Sequence, residues 1–505
     1  MIFKLGEYDM ITDKHIDRKI LEIAYNLTNL TSYAELLQNI INESLDITNS
    51  DAGTLYILNN NKLSFMIMIT RSKGICVGGD GLPVNLPPVE LDSNSVCAYV
   101  AREHRTMNIP DVYNDSAFDW QGPKKYDALN DYHTTSQLVV PLINHEQKVI
   151  GVLQLINAQD LDGRVVAYSD YEQYIMEAIA SLAAVSLSNY SMVNQLQELL
   201  DSFVVSFTTA IDARTPYNAN HTRHVAEYCR RFCDFLAARY AGTGDDLDLT
   251  PNRKDQLIMA ASLHDVGKLI VPLRIMNKSD RLADRLDEME LRWKWLRADL
   301  KTRLCLNMIS QEEYDATISR FDEDIEFIRK CNTVGFLDNA ALERIKSLAD
   351  FKLVTSEGEC VDFVTDEEIH ELSIVKGTLT AEERRIIESH AVYTTQILDK
   401  IAFGEKYDKV RFYAGAHHEY LNGTGYPDGI MAQDIPAEVR IITIMDVFDS
   451  LTSSDRPYKK QMDQDRALSI LHAMVDEGKL DGRIVDLTDE FLRSGDILSD
   501  ISNMV

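Results

Sequence analysis

Two adjacent histidines and a carboxylate, His417, His418 and Glu419, stand directly before a loop of glycine, threonine, tyrosine and proline. Neutral imidazole and carboxylate groups are ligands that divalent transition metals prefer in proteins. A glycine-rich loop lets the backbone approach a ligand closely, and a helix or strand buried for stability rarely contains one. This stretch therefore predicts a metal site, with the pair His264-Asp265 as its upstream partner.

Further histidines and aspartates recur in the predominantly helical second half of the chain, at His221, His390 and Asp446. Taken alone, a helical histidine such as His390 is more often a surface residue or a hydrogen-bonded core residue. Asp446 follows a run of apolar residues, so its carboxylate is expected to be buried, and burying it unpaired is costly. A metal ion offsets that cost, which makes Asp446 a candidate ligand.

The 505-residue chain is too long for one ordinary core, which predicts two or three domains. Its formal net charge of −29 argues against binding to nucleic-acid polymers or anionic membranes, because both need basic patches. Seven scattered cysteines predict no disulfide framework and are typical of a reducing cytosol, so we expect a cytoplasmic protein. We expect neither a signal peptide nor a membrane span, because no suitable apolar run occurs.

The elements that position these residues follow from two periodicities. Residues 14–47 show the apolar spacing of helices, and 52–58, 62–70, 136–143 and 148–156 have strand composition. The last two strands are predicted to form a hairpin, and a helix is predicted near 95–103. Together these segments predict an α+β sensor-like domain.

Three motifs follow one another in this region: DAGTLY at 51–56, NIPDVYN at 108–114, and VVPL with VIGVLQLIN within 139–157. In this order they resemble a GAF domain over about residues 20–190. GAF domains that bind cyclic nucleotides carry an Asn-Lys, Phe and Asp-Glu signature. The matching positions here are Asn157-Ala158, Tyr168 and Tyr171-Glu172, which lack Lys, Phe and Asp. The resemblance therefore leaves open a nucleotide site and a packing or dimerising role.

Residues 173–213 are predicted to form one long helix. Residues at alternating three- and four-residue steps fall on a single seam, and they are Ile179, Leu182, Ser186, Asn189, Val193, Leu196, Leu200, Phe203 and Phe207. Such a seam suits packing within one chain or a parallel coiled coil between two chains. We expect the coiled coil, and thus a homodimer through the sensor domain and this helix.

The second half contains the motifs HDVGK (264–268), KGTLT (376–380), HHE (417–419), GTGYP (423–427) and RPYK (456–459). They resemble the HD-GYP family, a branch of the HD-superfamily metal phosphohydrolases that hydrolyses cyclic dinucleotides. The resemblance covers about 205–280 and 374–490. It implies a multidomain chain: a GAF-like sensor domain (14–172), a linker helix or coiled coil (173–213), and an all-α HD-GYP domain (214–505). A charged segment at about 280–373, absent from the family pattern, is interpreted as a helical insertion.

The resemblance also implies two divalent metal ions, usually iron or manganese. One ion would be bound by His221, His264, Asp265 and Asp446, and the other by His390, His417 and His418, with Asp265 bridging. Some family members bind a third metal through a glutamate four residues before the first histidine. Tyr217 stands at that position here, so we expect two metals. His224, where the family has an arginine, is expected to be structural.

The implied catalytic residues are Asp265 and Lys268, with Lys268 one turn past His264-Asp265 on the same helix face as the acid for the departing 3′ oxygen. The implied substrate-binding residues are Arg456, Lys459, Gly425, Tyr426 and Pro427. We expect hydrolysis of cyclic di-GMP to linear pGpG, with onward cleavage to GMP left open, regulated by the GAF domain. A non-hydrolysing cyclic-dinucleotide receptor and a cyclic GMP-AMP phosphodiesterase are the alternatives. Because every ligand position is filled, the enzyme is favoured.

Overall fold

The computed structural model describes residues 32–79, 84–214, 220–453 and 462–495. Tyr217, Arg456 and Lys459 lie outside this part of the chain, as does the start of the first predicted helix. Two compact units are present, Met1–Leu199 and Leu200–Val505. Among the described residues, no helix is both long enough and apolar enough to cross a membrane. All seven cysteines are free thiols, as the sequence predicts.

The N-terminal unit is built on an antiparallel sheet flanked by helices, as predicted. Its elements in chain order are α1 (Tyr33–Ile47), β1 (Ser50–Asn59), β2 (Lys62–Thr70), β3 (Ile75–Gly78), β4 (Val89–Glu90), α2 (Val96–Glu103), β5 (Met107–Ile109), α3 (Gln121–Asn130), β6 (Gln137–Ile143), β7 (Val149–Gln159), β8 (Val165–Val166) and α4 (Asp170–Asp212). The sheet order is β3-β2-β1-β7-β6-β5, with β4 beside β2 and β8 beside β7. The predicted hairpin is the pair β6–β7.

Both faces of this sheet are buried, which explains the nearly continuous apolar strands. Leu153 packs with α1 and the first part of α4, whereas its neighbour Val152 packs with α2 on the opposite face. This alternation follows from the two-residue period of a strand. The core of the unit therefore has two layers, one on each side of the sheet.

Two positions of the nucleotide-binding signature stabilise the fold of this unit. The Asn157 side chain accepts a hydrogen bond from Thr135 N at 2.7 Å and donates one to His133 O at 2.8 Å. The buried Tyr168 hydroxyl lies 2.7 Å from Ser50 Oγ. Both side chains hold neighbouring segments together, which supports a packing role for these positions.

In its described residues, the C-terminal unit is helical except for one short hairpin. After α4 its elements are α5 (His221–Tyr240), α6 (Pro251–Leu263), a 3₁₀ helix (Val266–Leu269), α7 (Leu273–Met276), α8 (Arg285–Cys305), α9 (Gln311–Thr333), α10 (Asn339–Ser347), β9 (Lys352–Val354), β10 (Cys360–Asp362), α11 (Asp366–Leu372), α12 (Ala381–Glu388), α13 (His390–Leu398), α14 (Val410–Gly415), α15 (Ala437–Thr452), α16 (Gln464–Asp476) and α17 (Gly482–Arg493).

The segment 280–373 has a hydrophobic core of its own. Trp293, Phe321 and Phe363 are buried together, and the Trp293 indole donates to Phe363 O at 3.0 Å. The hairpin β9–β10 corrects the expectation of a purely helical insertion, because three-residue strands are too short to show a two-residue period in sequence. A segment with its own core packs as a subdomain, not as an irregular loop.

Candidate metal centre

The structure brings all seven predicted metal ligands together in the C-terminal unit. Their ligand atoms form three overlapping groups, within each of which all atoms lie within 4.8 Å: His221, His264 and Asp446; His264, Asp265 and His417; and His390, His417 and His418. Asp265 lies between the two predicted sets, with Oδ2 at 3.2 Å from His264 Nε2 and Oδ1 at 3.5 Å from His390 Nε2. Side chains of both predicted sets therefore meet around the Asp265 carboxylate.

Helix ends deliver most of these side chains to one point. His221 and His390 are the first residues of α5 and α13, and His264 directly follows α6. His417 and His418 come just after α14. The ligands are therefore held by short segments whose positions are fixed by packed helices.

Three histidines are oriented by the same local hydrogen bond. In His264, His390 and His417, Nδ1 lies 2.7, 2.6 and 2.6 Å from the carbonyl oxygen three residues earlier. A carbonyl oxygen only accepts, so each Nδ1 carries the proton and each Nε2 presents a lone pair. This is the imidazole tautomer that binds a metal through Nε2.

Two buried polar atoms in the centre lack hydrogen-bond partners among the described residues, and they indicate whether a cation would fit there. His264 Nε2 and Asp265 Oδ1 are buried, and neither has a hydrogen-bond partner in the part of the chain that the structure describes. Leaving such atoms unpaired is costly, and nitrogen and carboxylate donors together suit a divalent transition metal. The residues present therefore fit divalent metal ions.

Burial keeps most of these imidazoles neutral. It lowers the pKa of His418 to about 3 and that of His417 well below its usual value, and the neighbouring histidines lower the pKa of His417 further. Burial also lowers the pKa of His221, but hydrogen bonds to Asp446 and Asp449 outweigh it and raise that pKa to about 10. His417 and His418 thus present free lone pairs, and the carboxylates of Asp446 and Asp449 hold the His221 ring between them.

Lys268 lies at the centre, but on a different secondary-structure element from the one predicted. The prediction placed it on the same helix as His264-Asp265, but α6 ends at Leu263 and Lys268 lies in the 3₁₀ helix Val266–Leu269. Its Nζ still lies 2.5 Å from Asp265 Oδ2, and a fifth of its side chain is exposed. Lys268 therefore links the buried carboxylate to the solvent side of the site.

The glycine of the HDVGK motif joins the two ligand sets. A Cβ at Gly267 would lie 1.9 Å from His390 O, so only glycine permits this approach. Gly267 N donates to Thr394 Oγ1 at 3.0 Å, and that hydroxyl donates to His264 O at 2.9 Å. Sequence reasoning missed Thr394 because its role depends on a contact between distant segments.

Glu419 and the GTGYP loop form one unit. The buried Glu419 carboxylate accepts hydrogen bonds from the backbone of Asp428, Gly429 and Ile430 at 2.7–3.1 Å, so it fixes the segment that directly follows the loop. A Cβ at Gly425 would lie 2.4 Å from Tyr420 N.

The remaining loop residues lie at the edge of the centre. The Tyr426 ring packs on His418, with centroids 4.7 Å apart, and Pro427 follows it directly. Substrate contact by Gly425, Tyr426 and Pro427 stays a prediction. Arg456 and Lys459 lie outside the described residues.

Asp449 is a buried residue of the centre that the sequence reasoning did not select. One of its oxygens lies 2.6 Å from His221 Nδ1 and the other 3.2 Å from His224 Nδ1. It stands one turn after Asp446 on α15, and this three-residue spacing was the available signal. By accepting from Nδ1, Asp449 turns His221 Nε2 toward Asp446.

We expect Asp449→Asn to weaken metal binding about tenfold, the lower end of the range for residues that orient a ligand. Asparagine keeps an acceptor for His221 but removes the charge that makes the imidazole a stronger ligand. Isothermal titration of the metal-free chain with Mn²⁺ measures the change. Asp399→Asn, at the end of α13 and away from the ligands, is the control, and equal affinities in both variants would contradict this role.

Two family models match the chain. Residues 32–187 match the model described as GAF domain, and residues 366–484 match the model described as HD domain. The chain carries a GAF domain and an HD domain. The HD match contains His390, His417 and Asp446, whereas His221 and His264 precede it.

Relatives match parts of the chain. The 3'3'-cGAMP-specific phosphodiesterase 3 of Vibrio cholerae is 44% identical over 104 residues, which are 20% of this chain and 22% of that protein. The cyclic di-GMP phosphodiesterase response regulator RpfG of Xanthomonas campestris is 32% identical over 199 residues, 37% of this chain and 50% of that protein. A solved GAF domain/HD domain protein from Geobacter sulfurreducens has 16% identity and a TM-score of 0.24, covering 34% of this chain and 98% of its own. The chain thus spans half or less of the curated relatives it matches.

Proposed function

We propose that this chain is a metal-dependent phosphodiesterase that hydrolyses cyclic di-GMP to linear pGpG. The observation that carries the proposal is the position of Asp265, whose two oxygens face two separate groups of imidazole nitrogens. Two cations around a shared carboxylate are the usual apparatus for in-line phosphodiester cleavage. The similarity to phosphodiesterases of cyclic dinucleotides supports the substrate class.

Two divalent ions, iron or manganese, would be held by the two ligand sets. The first set is His221, His264, Asp265 and Asp446, and the second is His390, His417 and His418. When bound, the ions supply Lewis acidity, which polarises the phosphoryl oxygens and lowers the pKa of the attacking water. Because all seven ligand positions are filled in this chain, an enzyme is favoured over a non-hydrolysing receptor.

The chain itself supplies the proton and the substrate contacts. Lys268, the cation at the solvent side of Asp265, would protonate the 3′ oxygen as it leaves phosphorus. Asp265 holds the ammonium group in place at 2.5 Å. The exposed side of the Tyr426 loop would border the substrate, and Arg456 and Lys459 would contact its phosphates, supplying positive charge that this acidic chain otherwise lacks.

A single preparation tests this proposal. Metal content is measured under anaerobic conditions, and turnover of cyclic di-GMP and of cyclic GMP-AMP is followed by chromatography of the products. We expect about two metals per chain and linear pGpG as the first product of cyclic di-GMP. A strong preference for cyclic GMP-AMP would overturn the substrate assignment. Metal binding without cleavage of either compound would favour the receptor interpretation.

We further propose that the chain is a homodimer through the GAF domain and α4, and that the GAF domain regulates the HD domain. Along the predicted seam, Val193, Leu196 and Phe203 are more than half exposed. An apolar stripe at heptad spacing is complementary to a second copy of itself. A second copy packed along α4 would bury the apolar side chains that are exposed in the middle of this helix.

We expect Leu196→Glu to convert the dimer to monomers at micromolar concentration, because it places like charges face to face on the seam. Multi-angle light scattering of the full chain measures the change. Gln195→Glu adds the same charge beside the seam and should leave the dimer intact. A wild-type monomer, or two variants with equal masses, would contradict the coiled coil.

A further inference from the structure

The last residue of α4, Asp212, carries a buried carboxylate for which the proposed chemistry has no use. Only 4% of its surface is exposed, and Oδ1 accepts a hydrogen bond from the Thr222 hydroxyl at 2.8 Å. Its Oδ2 is also buried and has no hydrogen-bond partner among the described residues. A buried carboxylate with one neutral donor is costly, and the negative end of the helix dipole adds to that cost. Positive charge nearby would offset both.

Thr222 places this carboxylate beside the metal centre. It directly follows His221 in the first turn of α5 and is itself buried. Burial raises the pKa of Asp212 to about 6, whereas the Thr222 hydrogen bond and the charge of His221 act in the opposite direction. Asp212 is thus linked through the Thr222 side chain to the first turn of α5, which begins with His221.

The end of α4 is held at further points in the C-terminal unit. Val204 and Ile211 belong to the apolar core of that unit. Arg214, two residues past Asp212, donates from Nη2 to Val271 O at 3.3 Å. Val271 follows the 3₁₀ helix that carries Lys268. The helix end is therefore tied to the segments that present both His221 and Lys268.

We propose that Asp212 is a positioning residue for His221: its hydrogen bond to Thr222 fixes the first turn of α5, and its charge favours a cation at the His221 ligand set. This inference rests on the proposed role of His221 as a metal ligand. Because α4 runs unbroken from Asp170, inside the GAF match, a displacement of its last turn would reach His221 through the hydrogen bond between Asp212 and Thr222. The metal site that contains His221 is then the one regulated through the helix.

Titration of the metal-free full chain with Mn²⁺ tests the inference. Asp212→Asn keeps an acceptor but removes the charge, and Thr222→Val removes the donor at constant shape. We expect each to weaken one of the two Mn²⁺ ions about tenfold and to leave the other unchanged. Thr222→Ser keeps the hydroxyl and should bind both ions as the wild type does. Glu198→Gln, exposed on the same helix, is the charge control.

The melting temperature of each metal-free variant separates positioning from simple packing. Asp212→Asn should melt at or above the wild-type temperature, because it removes a buried charge. A lower melting temperature with both ions weakened alike would overturn the inference, as would unchanged affinities in Asp212→Asn and Thr222→Val. A wild-type chain that binds no Mn²⁺ would overturn the proposed function, and the inference with it.

Discussion

Replacing Asp265 by asparagine should abolish metal retention and lower kcat/KM for cyclic di-GMP by about four orders of magnitude, equivalent to about 5–6 kcal/mol of transition-state stabilisation. The Asp265 oxygens face His264 Nε2 at 3.2 Å and His390 Nε2 at 3.5 Å, so one carboxylate serves both ligand sets. An amide has the same shape but presents an NH₂ group to one of those nitrogens. It also leaves Lys268 without its anionic partner at 2.5 Å.

The measurement combines metal content after desalting with product chromatography. Asp324→Asn is the matched control, because Asp324 is also a buried aspartate, paired with Arg344 at 3.0 Å, but it lies in the insertion. That variant should keep both metals and full turnover even where its melting temperature falls. An Asp265→Asn chain with two metals and wild-type turnover would refute the bridging role.

The sequence pointed to His264-Asp265 and His417-His418 because their signal is local, whereas the ligand roles of His221 and His390 were implied by the family resemblance. Adjacent histidines before a glycine-rich loop, and His264-Asp265 beside a glycine, have compositions that a structural core rarely needs. The strands of the GAF domain were also predictable, because β1, β2, β6 and β7 are long enough to show strand periodicity and composition. Features that depend on the residue pattern within one segment can therefore be predicted from the sequence.

The residues that orient the ligands were not predictable in the same way. Asp449 and His221 are 228 positions apart, and Gly267 and Thr394 are 127 positions apart. Neither pair exists until the helices pack, and a threonine or a single aspartate has no distinctive local pattern. The role of Asp212 could not be predicted for the same reason, since it depends on a hydrogen bond from Thr222 on the next helix.

The end of α6 shows a different limit. The sequence predicts that one helix continues through His264 and Asp265. In the structure Asp265 adopts φ −100° and ψ 7°, outside the helical region. The break turns Asp265 into the centre while His264 keeps its hydrogen bond to Ala261 O. The three-residue spacing still brings Lys268 to Asp265, although the two residues do not share one α-helix.

Replacing Lys268 by methionine should lower kcat for cyclic di-GMP about 10²–10³-fold while both metals stay bound, a loss within the usual range for removal of a general acid. Methionine has a similar length but carries no proton. Metal retention is expected because the Lys268 ammonium contacts Asp265 and is a cation, not a ligand. Kinetics with cyclic di-GMP and metal analysis of the same sample measure both effects.

A phosphodiester with a nitrophenyl leaving group separates proton donation from charge. Such a group departs without protonation, so a true general acid is nearly dispensable for it, and the loss in Lys268→Met should shrink to less than about tenfold. Lys268→Arg keeps the positive charge beside Asp265 but holds its proton, so it should be slow with cyclic di-GMP and close to wild type with the aryl ester. Equal losses on both substrates in Lys268→Met, with full rescue by arginine, would show that Lys268 acts through its charge alone. The contrast between the two leaving groups thus assigns the proton to one atom, Lys268 Nζ.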